Sequence, residues 1–272
     1  MSQTNCLGIG NSMHDNEIEL GYEQVYQERL EETRSMVTLA TLLDFLNQGA
    51  GDGCDYDSVM AKSRAVAERA NHEGLPAQTP EVTLVSSVIR SNVKIMIYNI
   101  IEFSVTSLIR AIYDRLKNEN CGYTEVSEKL RTLWHHTRMR ALSDPSASND
   151  TAERISKQLL DEAITNTVLR LDTRKTISGG NLDGDKILRL FDDHGVSVHT
   201  EDVGFRADEL KDIKDRRNDL AHGSVSFAEA GNQVTTSELA GLISRVDSFL
   251  AQLRKDVIAY LNSGDYRANQ TP

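Results

Sequence analysis

Residues 205–231 read FRADELKDIKDRRNDLAHGSVSFAEAG, and this stretch decides how the rest of the chain is interpreted. On a helix that turns about 100° per residue, an apolar stripe forms that contains Leu210, Ile213 and Leu220, and Arg217 falls inside it. A second stripe lies beside the first and is polar and basic; its members are Lys211, Lys214, Asn218 and His222. The pattern therefore predicts an amphipathic helix with one arginine turned toward the protein interior.

The two adjacent arginines of this helix are predicted to have different roles. Arg216 turns toward Glu209 and Asp212, where a surface ion pair is expected. Arg217 lies on the apolar side, which makes it the candidate functional residue. The alternative from the residues alone is that Arg217 lays its aliphatic stem on apolar surface and has no further role.

Gly223 fits the position just after a helix, where a left-handed residue ends the helical run. That placement puts His222 in the last turn. A histidine that exchanges a proton near neutral pH, close to an arginine, suits phosphate chemistry. The alternative is a histidine that merely occupies a solvated helix end.

The order Arg217, Asn218, three further residues and His222 resembles the R-x4-6-H signature of the HEPN superfamily (higher eukaryotes and prokaryotes nucleotide-binding). The longer string RRNDLAHGSVSFAEAG is similar to a bacterial family of stand-alone HEPN nuclease-like chains. Two more stretches share the resemblance: YNIIEFSVTSLIRAIYD at 98–114 and GGNLDGDKILRLFDDHG at 179–195. The resemblance covers about residues 98–262 and does not extend to the first 80 residues.

This resemblance implies an all-α fold, an up-and-down helical bundle, and a metal-independent endoribonuclease that uses no cofactor. In that chemistry the RNA 2′-hydroxyl attacks the neighbouring phosphate. His222 would act as general acid or base, Arg217 would stabilise the phosphorane, and Asn218 would bind the phosphate or orient the imidazole. The expected partner is RNA, and the expected setting is a toxin or phage-defence effector with an antitoxin or defence-system partner protein.

The resemblance also implies a homodimer with the motif at its interface. Arg217 and His222 are five residues apart, or roughly 140° round a regular helix, so one copy does not bring them together. Two copies related by a twofold axis are expected to pool both motifs in one cleft. The alternatives are a noncatalytic HEPN module that binds a nucleotide, RNA or protein partner, and a helical scaffold with a chance motif.

Composition limits the other functional classes. The chain has 272 residues and a net charge of −11, which argues against extensive nonspecific binding of nucleic acid and favours a small positive cleft. Three widely spaced cysteines show no metal-binding spacing, so no metal site is expected. No apolar run reaches the roughly 18–20 residues of a membrane span and no leader is evident, which predicts a cytoplasmic protein without a membrane role.

The domain organisation is predicted from breaks in the helical pattern. Residues 1–16 are expected to form a flexible tail and residues 17–80 an N-terminal helical extension, interrupted by GAGDGCDYD at 49–57 and closed by the linker GLPAQTP at 74–80. Residues 81–265 are then the HEPN-like helical domain.

Residues 82–117 are predicted to cross the centre of the bundle. Their opening, VTLVSSVI, is β-branched enough to be a strand, but the following residues keep a helical period with apolar positions on two faces. Glu102 lies within this segment, where a carboxylate is costly unless it is paired. It is either a satisfied structural residue or a support that orients Arg217.

Local signals predict several helix ends and one anchor. Asn181 or Asp183 is expected to cap the helix that ends at His194-Gly195, in preference to a phosphate-binding role for GGNLDGD. Thr235 and Glu238 form a capping box. Phe227 is expected to anchor the loop after the motif helix to the core, and His135-His136 to lie on a solvated basic face.

Overall fold

The computed structural model describes residues 10–47, 82–139, 149–171, 173–177 and 181–268, and most of them are helical. The helices in these ranges are α1 Gly10–Asn47, α2 Val82–Asn118, α3 Glu128–Met139, α4 Asn149–Ile164, α5 Thr173–Thr176, α6 Gly184–Asp193, α7 Ala207–His222, α8 Phe227–Asn232 and α9 Thr236–Ser263. Extended pairing within the same ranges is limited to two isolated antiparallel bridges. The predicted all-α class is confirmed.

Two helix starts differ from the expected ones. Helix α1 begins at Gly10, inside the segment that was expected to be a tail. Helix α2 begins at Val82, so VTLVSSVI is helical and the strand alternative is wrong. The breaks at 49–57 and 74–80 lie outside the described residues, and the domain boundary near residue 81 stays a prediction.

Helix α2 is buried on two faces, as its sequence predicts. One buried face includes Val93, Ile97, Ile100, Ser104, Leu108, Ile112 and Leu116, and the other includes Ile101, Val105 and Ile109. By length and composition alone α2 also passes as a membrane span, which the sequence had not led us to expect, but half of its most apolar window is buried within the protein. Core helices of soluble proteins pass the same test, so this is weak evidence for a membrane role.

The chain divides into two compact units. The first unit comprises residues 1–26, 100–214 and 245–272. Its largest fully buried side chains come from α2, α3, α6, α7 and α9 and include Ile101, Ile109, Ile112, Leu130, Trp134, Ile187, Phe191, Ile213 and Phe249. Helix α1 contributes Tyr22, which stacks on Phe103 with ring centroids 5.7 Å apart, and Tyr26, whose hydroxyl donates to Asp247 at 2.7 Å.

The second unit comprises residues 27–99 and 215–244. Its buried apolar side chains come from α1, α2, α7, α8 and α9 and include Leu30, Val37, Ala40, Ile89, Val93, Ile97, Tyr98, Leu220, Ala230, Leu239, Leu242 and Ile243. The α2 part of this unit also buries three serines, Ser86, Ser87 and Ser91. Buried hydroxyls need hydrogen-bond partners, so these serines mark where polar contacts replace apolar packing.

The predicted ends of α6 and the predicted capping box of α9 are confirmed. Asp183 caps α6 by accepting from the backbone N–H of Lys186 at 3.0 Å, and Gly195 follows the helix with φ +88°. Thr235 and Glu238 form the capping box, since the Glu238 carboxylate accepts from the Thr235 N–H at 2.8 Å and the Thr235 hydroxyl accepts from the Glu238 N–H at 3.2 Å. These ends depend on residues three or four apart, which sequence alone can pair.

A buried histidine follows α6 in the first unit. His194 has no exposed surface; its Nδ1 lies 2.6 Å from the Leu190 carbonyl oxygen and its Nε2 lies 2.7 Å from the Tyr113 hydroxyl. A carbonyl only accepts, so Nδ1 carries the proton and Nε2 accepts from Tyr113. Loss of hydration on burial disfavours the imidazolium and lowers the pKa of His194 to about 4.

We expect the free energy of unfolding to decrease in acid because of this histidine. Between its unfolded pKa of 6.5 and its folded pKa of about 4, the unfolded chain binds a proton that the folded chain does not. Stability is therefore fully present above pH 6.5 and falls by about 1.4 kcal/mol per pH unit, or about 3 kcal/mol in all. Urea denaturation gives the free energy of unfolding of the wild type and of His194→Gln at several pH values between about 4 and 6.5. This free energy should change more steeply with pH in the wild type. Equal pH dependence in the two proteins would contradict the assignment of the effect to His194.

Candidate functional site

Helix α7 ends in the manner that its sequence predicts. Gly223 has φ +70°, its N–H donates to the Leu220 carbonyl at 3.3 Å, and the Ser224 N–H donates to the Asp219 carbonyl at 2.9 Å. This pair of bonds is a Schellman motif, which satisfies the last carbonyl groups of the helix. His222 is the final helical residue and is exposed. Its imidazole is thus carried on a defined helix end.

Arg217 lies against an aromatic ring. Its side chain is half-buried, and the guanidinium carbon lies 5.2 Å from the ring centroid of Tyr98, which is 0% exposed. Its Nη1 group donates to the side-chain oxygen of Asn218 at 3.1 Å. The helical wheel therefore placed Arg217 on the correct side. The cation is held by a cation–π contact and one hydrogen bond.

Arg216 is on the other side of α7 but does not have the expected partner. Its Nη2 group donates to the side-chain oxygen of Gln233 at 2.6 Å. In the first unit, Glu209 accepts from Arg245 at 2.7 Å and 2.9 Å. The separation of the two arginines is thus correct, whereas the ion pair of Arg216 with Glu209 and Asp212 is wrong.

The two lysines of the predicted basic stripe have different environments. Lys214 donates to Asp183 at 3.0 Å, and the two side chains are only 13% and 15% exposed. Burial raises the pKa of the Asp183 carboxyl, but hydrogen bonds from Lys186 and Lys214 outweigh this and leave the pKa lowered. Lys211 is exposed and makes no hydrogen bond or ion pair in the described part of the chain. Lys214 thus also has a structural role that a wheel cannot reveal.

Comparison with known proteins identifies the family. A model of the family described as MAE_28990-like HEPN matches residues 23–266, which is most of the chain. The chain belongs to the HEPN superfamily. Neither the curated proteins nor the solved structures contain a significant match.

The family match confirms the resemblance drawn from the motif and agrees with an all-α HEPN fold. It begins at residue 23, within α1, so part of the predicted N-terminal extension lies inside the matched region. The match does not test which HEPN residues act in this chain. The roles of Arg217, Asn218 and His222 therefore stay predictions.

Glu102, the predicted support of Arg217, is half-buried in α2 and lies in the first unit. Arg217 lies in the second unit, where its hydrogen bond goes to Asn218. The supporting role of Glu102 stays a prediction. Asn218 is half-buried, and its side-chain oxygen is directed at Arg217.

Three residues of α2 bind the segment that follows the HEPN motif, namely Ser87, Arg90 and Ser91. We call these three residues the polar clamp, and the sequence did not predict it. The Ser91 hydroxyl donates to the carbonyl of Phe227, Nε of Arg90 donates to the carbonyl of Gly231 at 3.0 Å, and the Ser87 hydroxyl donates to Asn232 at 2.5 Å. Nη1 of Arg90 also lies 2.8 Å from both carboxylate oxygens of Asp44 on α1. A sequence signal for the clamp did exist, because polar residues recur on one face of this otherwise apolar helix.

Phe227 does not anchor the loop through its ring. The side chain is 37% exposed, whereas its backbone carbonyl accepts from Ser91. The Ser226 hydroxyl caps α8 by accepting from the Glu229 N–H at 3.2 Å. Phe227 therefore takes part in the anchor through its backbone carbonyl, and the predicted role of its aromatic side chain is wrong.

His135 is less exposed than predicted. Its Nε2 lies 2.7 Å from the hydroxyl of Tyr123, and its ring packs edge-on against Trp134 at a centroid distance of 5.2 Å. His136 is exposed. The two neighbours thus diverge as a helix requires, and only His136 fits the predicted solvated face.

Proposed function

We propose that this HEPN chain is a metal-independent endoribonuclease. The observation that carries the proposal is the environment of Arg217: a half-buried guanidinium fixed by Tyr98 and Asn218, on the same helix end as an exposed His222. A cation held in place before the substrate arrives stabilises developing negative charge without reorganisation. An imidazole nitrogen of His222 supplies the proton donor or acceptor.

The reaction is an internal transesterification. The RNA 2′-oxygen forms a bond to the adjacent phosphorus as its proton passes to a general base, and the bond from phosphorus to the 5′-oxygen breaks as that oxygen gains a proton. The products are a 2′,3′-cyclic phosphate and a 5′-hydroxyl. His222 moves one of these protons, and Arg217 binds the crowded phosphorane.

The two residues point apart on α7. The helix is continuous from Ala207 to His222, so the five-residue spacing places them roughly 140° apart. We therefore propose a homodimer in which the arginine of one copy works with the histidine of the other. The setting that best fits such an activity is a toxin or defence effector in the cytoplasm, restrained by a partner protein.

The decisive experiment is incubation of the purified full chain with transfer RNA and total RNA in EDTA, followed by mapping of the ends. Cyclic phosphates and 5′-hydroxyls at defined positions are the expected products. Pooling is tested by mixing Arg217→Ala and His222→Ala proteins under conditions that exchange subunits. Restored cleavage is expected, because one mixed cleft keeps an intact arginine and an intact histidine; no restoration would contradict the pooled site.

A noncatalytic HEPN module that binds RNA or a partner is the second candidate. It is favoured by the ion pair of Lys214 with Asp183, which reduces the cationic character of the predicted stripe, and by the net charge of −11. Stable RNA binding without new ends in EDTA would favour this alternative.

Replacing the two lysines of the basic stripe should have different effects, one on RNA binding and the other on the stability of the fold. Lys211→Ala is expected to weaken RNA binding severalfold at low salt and to leave the melting temperature unchanged, because an exposed lysine contributes through charge alone. Lys214→Ala should lower the free energy of unfolding by about 1–3 kcal/mol, because Asp183 then lacks its buried cation. Filter binding and thermal denaturation of both variants provide the test; a Lys214→Ala protein as stable as the wild type would contradict this division.

A further inference from the structure

Tyr98 lies on the buried side of α2, with no exposed surface, and its ring is the surface against which the Arg217 guanidinium rests. Both residues belong to the second unit. An aromatic face attracts a cation through its quadrupole, and burial on one side strengthens that attraction because water competes less. The ring therefore limits the directions that the arginine side chain can take.

The remaining geometry leaves Arg217 ready to bind an anion. Of the five N–H donors of a guanidinium, one is used by Asn218 at 3.1 Å, and no other hydrogen bond of Arg217 occurs among the described residues. Tyr98 on one side and Asn218 at one edge thus orient the group while other donors stay available. A phosphate or phosphorane is the ligand that suits this arrangement.

We propose that Tyr98 is the positioning residue of the motif, and that it acts through the face of its ring and not through its hydroxyl. The inference rests on the proposed ribonuclease function, in which Arg217 stabilises the transition state. Because the ring fixes the arginine before substrate binds, losing the cation–π contact should reduce kcat more than it raises KM.

The test varies the ring's electrostatics while almost keeping its shape. Tyr98 of the full chain is replaced by phenylalanine and by three fluorinated analogues. The analogues are 4-fluoro-, 3,5-difluoro- and 3,4,5-trifluorophenylalanine, introduced by amber suppression. Each fluorine withdraws charge from the ring face and weakens cation binding. Tyr98→Phe should keep kcat within about threefold of the wild type, and the trifluoro variant should fall about tenfold below Tyr98→Phe with KM nearly unchanged.

If Tyr98 had only a structural role, kcat would not fall as fluorines are added, because fluorination changes packing little and makes the ring more apolar. A flat kcat across the series would overturn the proposal. A Tyr98→Phe protein as slow as the trifluoro variant would overturn it too, because the hydroxyl would then be the active group. Melting temperatures of every variant confirm that rates are compared between folded proteins.

A stability measurement keeps the inference separate from the proposed function. The same fluorinated series is denatured with urea in the wild type and in an Arg217→Met background. Progressive loss of stability only when Arg217 is present supports the positioning contact even if no RNA is cleaved, in which case the ribonuclease proposal fails alone. Equal effects in both backgrounds would overturn the contact.

Discussion

Replacing Arg217 or His222 with alanine is expected to slow EDTA-resistant RNA cleavage by at least roughly a hundredfold. The arginine is the cation held against Tyr98, and the histidine is the exposed titratable group at the end of the same helix. Neither change removes a large buried apolar side chain, so both proteins should stay folded. Initial rates on a defined RNA, together with circular dichroism melts, measure the two effects.

Arg216→Ala is the matched control for this prediction. It removes the same side chain one position earlier, where the guanidinium bonds to Gln233 at 2.6 Å in an exposed setting. Its cleavage rate should stay within about threefold of the wild type, because exposed polar pairs contribute little. Full activity of Arg217→Ala with loss of activity in Arg216→Ala would mean that Arg216 is the functional arginine.

The sequence predicted the features of this site that depend on helical periodicity. The wheel separated Arg217 from Arg216, because a 3.6-residue period fixes direction once a helix is established. Gly223, Asp183 and the Thr235 capping box were likewise predictable, because caps join residues that are close along the chain. In each case a short segment contains both the signal and its partner.

The sequence did not predict the contacts that join residues distant along the chain. Lys214 belongs to the basic stripe by position, yet its partner Asp183 lies 31 residues earlier. Tyr98 begins one of the stretches that resemble the HEPN family, but nothing in its spacing links it to Arg217. Phe227 was assigned an anchoring role from its residue type, whereas its backbone carbonyl makes the contact. Tertiary packing selects such partners, and a wheel contains no information about them.

Substituting Gly231 with alanine is expected to have the largest effect on stability. A Cβ atom there would lie 2.5 Å from the backbone carbonyl carbon of Ser87, and it would overlap the carbonyl oxygen more closely still. The backbone of α2 cannot yield, so α8 must move and lose the bonds from Arg90 to Gly231 and from Ser91 to Phe227. We expect a loss of about 3 kcal/mol or more in the free energy of unfolding.

Gly223→Ala is the control. Glycine is needed there for its positive φ, whereas at position 231 it is needed for lack of space. Gly223 has φ +70°, but no atom of the described residues lies within 4 Å of its would-be Cβ, so alanine there costs only backbone strain of about 1–2 kcal/mol. Urea denaturation should therefore give a much lower free energy of unfolding for Gly231→Ala than for Gly223→Ala. If the two are equally stable, α8 is not packed against α2 as closely as described, and the polar clamp cannot be what fixes the chain after His222.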